Sequence, residues 1–191
     1  MIELKYPFVM ASGSPRRKEI LDTMGISYTV DASDVDESFS GRPQEAVVEL
    51  SCRKAKAVAD RYPDAYVLAA DTLVFADHVL GKPGNPERAI EMLRELSGRW
   101  HSVFTGLTLI HPRSGNTIQR LCETRVHFVE MSDDELKAYA ATNDCNDKAG
   151  GYGIQSLGGV FIDEIIGSYS NAVGLPMSVL YDMIKEMNKM L

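Results

Sequence analysis

The chain has 191 residues, 45% hydrophobic and 25% charged, with a formal net charge of −7, the make-up of an ordinary globular domain with enough chain for a real core. The acidic balance argues against broad binding to nucleic acid or to an anionic membrane, both of which need a basic face. No run approaches the roughly 20 apolar residues of a membrane span, and no basic stretch followed by a long apolar segment marks a signal peptide.

In chain order the predicted elements alternate between strand and helix, the pattern of an α/β protein. "PFVMAS" reads as a short buried strand. Ser14 is expected to cap a helix that starts at Pro15, buries Ile20, Leu21 and Met24, and stops at Gly25. "SYTV" is a second strand. A long helix is expected from Pro43 to Tyr62, with Ala46, Val47, Leu50, Ala57 and Val58 inward. "YVLAADTLVF" is a buried strand interrupted by a carboxylate. Asn85-Pro86 opens the next helix, Ile90, Leu93 and Leu96 face its core, and Gly98 closes it. Two long strands then flank a turn over 113–116. "SDDE", Ser132 to Glu135, is a capping box for a helix to about Thr142. A glycine-rich passage, the strand "GVFIDEII" and a last helix carrying Val179, Leu180, Met183, Ile184 and Met187 complete the chain. No repeat or linker divides it, so a single domain over 1–191 is expected.

Three widely spaced cysteines, Cys52, Cys122 and Cys145, fit reduced thiols in a cytoplasmic protein and give no zinc ligand set. The four histidines show no metal-ligand spacing. Chemistry must come from elsewhere, and the opening segment "ASGSPRRKEIL" is the first candidate. A strand runs through small residues into a helix N-terminus, where free N–H groups and the dipole attract anions. Ser12 and Ser14 add hydroxyls. Arg16 and Arg17 oppose the dipole unless an anion compensates. Two readings are open here: a phosphate site, or a capped surface helix with solvated arginines. The Walker pattern GxxxxGK[ST] is absent.

Further cations are Lys54 and Lys56 on the long helix, where a solvated face is the default, and Lys82 in "LGKPG", where a turn is. Candidate metal ligands are Asp36 and Glu37 in "DVDES", and Asp71 in "LAADT". Asp71 is the strongest, because it ends a buried apolar run where ligands collect in open α/β sheets. A carboxylate there serves as a divalent-metal ligand or a general base. Mg²⁺ is commonly held by one or two carboxylates plus substrate phosphates and waters. "DKAGGYGIQ", Asp147 to Gln155, is either a flexible glycine loop or a site offering a ring to stack on and an amide to bond a base.

The ordered set "ASGSPRRKEIL", "VDES", "KAKAVA", "LAADTLV", "GKP", "GRWHSVFTG", "DKAGGYGIQ" and "GSYSNAVGLP" resembles the Maf family of nucleoside triphosphate pyrophosphatases, over roughly Val9 to Pro176. "DKAGGYGIQ" is similar to the branch acting on dTTP and UTP, and unlike the branch acting on 7-methyl-GTP. By motif, the resemblance makes Asp71 the catalytic carboxylate and ties Arg16, Thr72 and Gln155 to substrate choice. It places Ser12, Arg17, Glu37, Lys54, Lys82 and Lys148 along the cleft. The residues expected to bind the phosphates are Ser12, Ser14, Arg16, Arg17, Lys54, Lys82 and Lys148, and those expected to hold a metal are Asp71 and Glu37. It implies an elongated mixed sheet with flanking helices and two lobes around a cleft, similar to the inosine-triphosphate pyrophosphatases. It also implies a divalent cation (Mg²⁺, with Mn²⁺ or Co²⁺ as alternatives), a cytoplasmic location and often a homodimer. Gly151 stands where alanine is commoner, and Ser156 where glycine is usual. Neither change removes a reactive group, though both bear on loop rigidity. The expected reaction releases the monophosphate and pyrophosphate from a nucleoside triphosphate. The alternative is a nucleotide-binding regulator of cell division that needs no turnover. For base selection a free amide could flip, so a group of the loop backbone or the Thr72 hydroxyl is expected to fix Gln155.

Overall fold

The computed structural model describes residues 2–191. The elements are β1 (Phe8–Met10), α1 (Pro15–Thr23), β2 (Thr29–Val30), α2 (Pro43–Ala59), β3 (Tyr66–Ala76), β4 (His78–Leu80), α3 (Pro86–Leu96), β5 (Trp100–His111), β6 (Asn116–Phe128), α4 (Asp133–Ala140), β7 (Ile162–Ile166), α5 (Tyr169–Val173) and α6 (Met177–Met190). The strands form one sheet in the order β2-β1-β3-β5-β6-β7, with β4 paired to β3. β1 runs parallel to β2 and β3, whereas β4 on β3 and β7 on β6 are antiparallel. The sheet is therefore mixed, and the α/β expectation holds.

Local chemistry explains most element boundaries. α1 ends in a Schellman arrangement: Ile26 N–H donates to Leu21 O and Gly25 N–H to Asp22 O, with Gly25 at φ +69°, a conformation that costs glycine nothing. Asn85 caps α3, its side chain accepting from Arg88 N–H at 2.8 Å. At α4 the capping box is complete, with Ser132 and Glu135 satisfying each other's backbone N–H groups.

Several expectations shift. The helix expected to reach Tyr62 ends at Ala59, and on it Ala57 is exposed while Ala55 is buried. Gly159 to Phe161 belong to a 3-10 turn that precedes β7. Ser14 stands at the α1 N-cap position, but its side chain makes no capping hydrogen bond. β4 and α5 were not anticipated. β4 follows a reversal at Asp77, at φ +63°, a conformation that a turn signal would normally assign to glycine or asparagine.

The chain groups into two compact units. The first comprises Met1–Asp71, Thr105–Cys122 and Gly174–Leu191. Its core packs Val9, Ala11, Val67, Ala69 and Ile110 of the strands and their ends against Ala55, Val58 and Ala59 of α2. The alternate residues Phe8, Met10, Tyr66 and Leu68 are also buried, so these short strands read as unbroken apolar runs with both faces covered. α2 lies very close to β5: a Cβ added at Gly106 would sit 2.2 Å from the Val47 carbonyl oxygen. Only glycine fits that approach.

The second unit comprises Thr72–Phe104 and Glu123–Val173. Val74, Ala76, Leu80, Val103, Val126 and Phe128 pack against Met92, Leu93 and Leu96 of α3 and Leu136 and Tyr139 of α4. Inside it the His101 Nε2 and Tyr152 hydroxyl lie 2.7 Å apart, and both residues are buried.

Two measurements follow from this packing. Gly106→Ala must push α2 off β5 against backbone atoms, so urea unfolding should show a loss of at least about 1–3 kcal/mol. An unchanged midpoint would show that the helix sits further away. The second concerns acid. Burial lowers His101 from 6.5 to about 4, so the folded form stays neutral where the unfolded chain takes a proton. Stability is then complete above pH 6.5 and falls as the pH drops from 6.5 toward 4, by up to about 1.4 kcal/mol per pH unit. Unfolding midpoints of wild type and His101→Gln should diverge in that window, the variant being the flatter. Parallel curves would contradict a neutral buried His101.

Candidate active site

The first unit assembles a charged cluster on three segments. β1 delivers the chain into Ala11, whose N–H donates to Leu68 O at 2.7 Å, and the small residues then lead into α1. Ser12, rather than Ser14, supplies the oxygen here. Its Oγ accepts from Ser14 N–H at 3.3 Å and from Arg17 Nη1 at 3.0 Å. Arg17 Nε also donates to Gly174 O at 2.9 Å, so the guanidinium is half-buried and held on two sides. Burial lowers Arg17 to about 10, while Asp71 and Glu37 pull it up and Arg16 pushes it down. At neutral pH it stays charged. Arg16 is half-buried beside it in the same turn.

The second segment is β3. Val67 to Ala70 are fully buried, and the pleat then presents Asp71, whose side chain is 14% exposed. The third is α2, which carries Lys54. Its ammonium lies 2.6 Å from Asp71 Oδ1 and 2.7 Å from Glu37 Oε1. Lys54, 12% exposed, thus departs from the solvated default, while Lys56, two residues on, is exposed. Glu37 comes from the 31–42 loop and is itself 64% exposed. That loop is braced from α2, since Arg53 Nη1 donates to Ser38 O at 3.0 Å. Asp36 does not join the cluster. Its carboxylate accepts from Ser38 N–H and Oγ at 2.9 and 2.6 Å, which holds it below the usual carboxylate range and makes it a turn residue.

Chemically, Arg16, Arg17 and Lys54 set three cations against two carboxylates, one net positive charge around a strand-to-helix loop. Such an arrangement offers positive charge to an anion such as a phosphate, with the Asp71 carboxylate at its centre. The oxygens of Asp71 and Glu37 already converge on one cation, the Lys54 ammonium, so their donor chemistry suits a shared divalent ion as well. Among the described residues no group of three His, Cys, Asp or Glu side chains gathers as a metal cage.

The second unit carries the remaining predicted residues. Thr72, half-buried, follows Asp71 on β3. Lys82 is exposed on the β4–α3 loop, which is tied to the glycine-rich segment by Gly84 N–H to Asn146 O and Gly150 N–H to Gly81 O. Lys148 Nζ donates to Asp144 O at 2.5 Å and lies 3.0 Å from Asp147 Oδ1 and 3.3 Å from Asp144 Oδ1. Gln155 is exposed at the corner of a turn closed by Ser156 N–H to Gly153 O. The ring expected to stack on a ligand is not available. Tyr152 is buried against Phe128 and His101 and belongs to the core.

Sequence reasoning missed Asp144, Tyr139, Arg53 and the Gly174 carbonyl. Asp144 and Lys148 lie outside any helix, where their spacing carries no signal, and the others depend on tertiary contacts. "GSYSNAVGLP" turns out to be a scaffold. Asn171 Nδ2 donates to Val103 O and Thr124 Oγ1 at 3.1 and 3.0 Å.

The family described as Maf-like protein matches residues 7–187. A dTTP/UTP pyrophosphatase of Syntrophus aciditrophicus is 43% identical over 185 residues, covering 95% of this chain and 90% of the relative. One from Desulfotalea psychrophila is 41% identical over 189 residues, covering 96% of each. The solved structure of a HAM1 protein from Coxiella burnetii matches with a TM-score of 0.52 at 15% identity, covering 95% of this chain and 99% of that one, a likeness of fold alone. Seven strands, a charged loop-to-helix cluster and a match spanning nearly every residue lead to one conclusion: the chain belongs to the Maf-like protein family.

Proposed function

We propose that this protein hydrolyses dTTP and UTP to the monophosphate and pyrophosphate, with residues 1–191 acting as one catalytic domain. The observation that carries the reading is Lys54 bridging Asp71 and Glu37 beside Arg17. The names of the relatives, dTTP/UTP pyrophosphatases, support the choice of substrate.

The phosphates are received at the α1 N-terminus by Arg16 and Arg17, with the Ser12 and Ser14 hydroxyls and backbone N–H groups as neutral donors. Lys54 and Lys82 add charge that stabilises the leaving pyrophosphate. Asp71 accepts a proton from water, or orients it, for in-line attack on the α-phosphorus. Its ion pair with Lys54 aligns the carboxylate before substrate arrives. No protein nucleophile is needed.

A divalent cation, Mg²⁺ in the first instance, with Mn²⁺ or Co²⁺ as alternatives, fits Asp71 and Glu37. Two carboxylates from separate segments suit an ion that completes its shell with phosphates and water. When bound it supplies positive charge to the phosphates and acidifies water. Gln155 reads the base, since uracil and thymine offer a donor beside an acceptor and one amide pairs with both. Thr72 and Arg16 are the other specificity positions. A regulator that binds without turnover would have no use for a carboxylate poised at Asp71, and no observation favours it.

The test is Asp71→Asn. The amide keeps the shape but cannot accept the proton, so the rate of pyrophosphate release from UTP should fall by about 10²–10⁴-fold, with circular dichroism unchanged. Near-wild-type release from the folded variant would remove Asp71 from the mechanism and pass its role to Glu37.

A further inference from the structure

The turn that displays Gln155 is not a free glycine loop. It is tied at both ends to one carboxylate that the reaction does not use. Asp144 Oδ2 accepts from the Ser156 hydroxyl at 2.6 Å and from the Tyr139 hydroxyl at 2.8 Å. Tyr139 in turn accepts from Gly153 N–H at 3.2 Å, and Ser156 Oγ also reaches Gly153 O at 3.2 Å. Lys148 closes the other side of Asp144 through its carbonyl and Oδ1. Residues 153 and 156, the first and last of the turn, thus hang from Asp144, and Gln155 stands between them.

Sterics and charge agree with this arrangement. A Cβ at Gly153 would lie 2.1 Å from Ser156 Oγ and 2.8 Å from Lys148 Cε, and one at Gly158 would lie 2.7 Å from the Tyr139 hydroxyl. The two glycines let the chain close around the polar groups. Burial alone would raise Asp144, but donation from Ser156, Tyr139 and Lys148 more than offsets it and holds the carboxylate below its usual range. Burial pushes the Tyr139 hydroxyl up. Asp144 is therefore an ionised acceptor and Tyr139 a protonated donor. Hydrogen bonds to a charged group are stronger than those between neutral groups, and here they hold one conformation of a glycine-rich turn.

We propose that Asp144 is the positioning residue for base selection: through Ser156 and Tyr139 it fixes the Gly153–Ser156 turn and so aims the Gln155 amide. The proposal rests on the reading that Gln155 recognises the base. Discrimination needs the amide presented from one place, and the Asp144 network fixes the backbone that carries it, at Gly153 and Ser156. Ser156 is part of the same device, because its hydroxyl is the donor that links the far end of the turn to Asp144. Lys148 acts here too, by screening the Asp144 charge.

The experiment is kcat/KM for UTP, dTTP and CTP on wild type, Asp144→Asn, Ser156→Ala, Gln155→Ala and the Asp144→Asn/Gln155→Ala double variant, with the melting temperature of each. Asp144→Asn and Ser156→Ala should lower kcat/KM for UTP and dTTP by about tenfold, within the roughly 5- to 150-fold that a bidentate base contact supplies, and leave CTP nearly unchanged. The double variant should be no worse on UTP than Gln155→Ala alone, because both changes remove one interaction. Ser156→Ala deletes a single exposed hydroxyl and keeps the test alive if Asp144→Asn folds poorly. An equal loss on all three substrates, or additive effects in the double variant, would overturn positioning in favour of a general structural role. If Gln155→Ala loses selectivity while both other single variants keep it, positioning by Asp144 fails and base reading by Gln155 stands. If Gln155→Ala itself keeps selectivity, both are overturned.

Discussion

Lys54 shared between Asp71 and Glu37 is the interaction on which the account turns. A lysine on a helix costs little when solvated, whereas here its ammonium is largely enclosed between two carboxylates. Removing Lys54 would leave two carboxylates without their shared cation, whereas removing one carboxylate leaves the ammonium paired with the other. The arrangement therefore demands that three chain segments be held in fixed relation. α2 must lie close, which Gly106 permits. β3 must present Asp71 from an apolar run, and the 31–42 loop must bring Glu37, which Arg53 braces from the same helix.

The second unit solves a different problem with the same means. Glycine-rich segments approach other backbone closely but hold no conformation by themselves. Here Asp144 supplies the missing order, and Gly150, packed against the Val74 side chain, takes a φ of +73° that residues with a side chain rarely adopt. Rigidity in the first unit comes from apolar strands with both faces covered. In this loop it comes from a carboxylate that three donors satisfy.

Much of this was legible where the signal is local. Asn85-Pro86, the Ser132–Glu135 box and Gly25 each carry their own capping chemistry, and the structure uses them as written. Asp71 was legible because a lone carboxylate in "VLAAD" breaks a buried strand. Other residues were not, for a common physical reason. Lys54 and Lys56 are both cations on one helix, and only the position of β3 decides which is enclosed. Ser12 and Ser14 are alike in sequence, and the direction of Arg17 chooses between them. Tyr152 reads as a ring near a ligand until Phe128 and His101 are seen packed on it. Asp144 looks like a loop acid because its partners, Tyr139 and Ser156, lie on opposite sides of it in the chain.

The central claim is that the Asp71 cluster directs water onto the α-phosphorus. Turnover of UTP in ¹⁸O-labelled water, followed by mass spectrometry of both products, tests it most directly. The account predicts one labelled oxygen in UMP and none in pyrophosphate. Label in pyrophosphate, or UDP with labelled orthophosphate as the primary products, would contradict it.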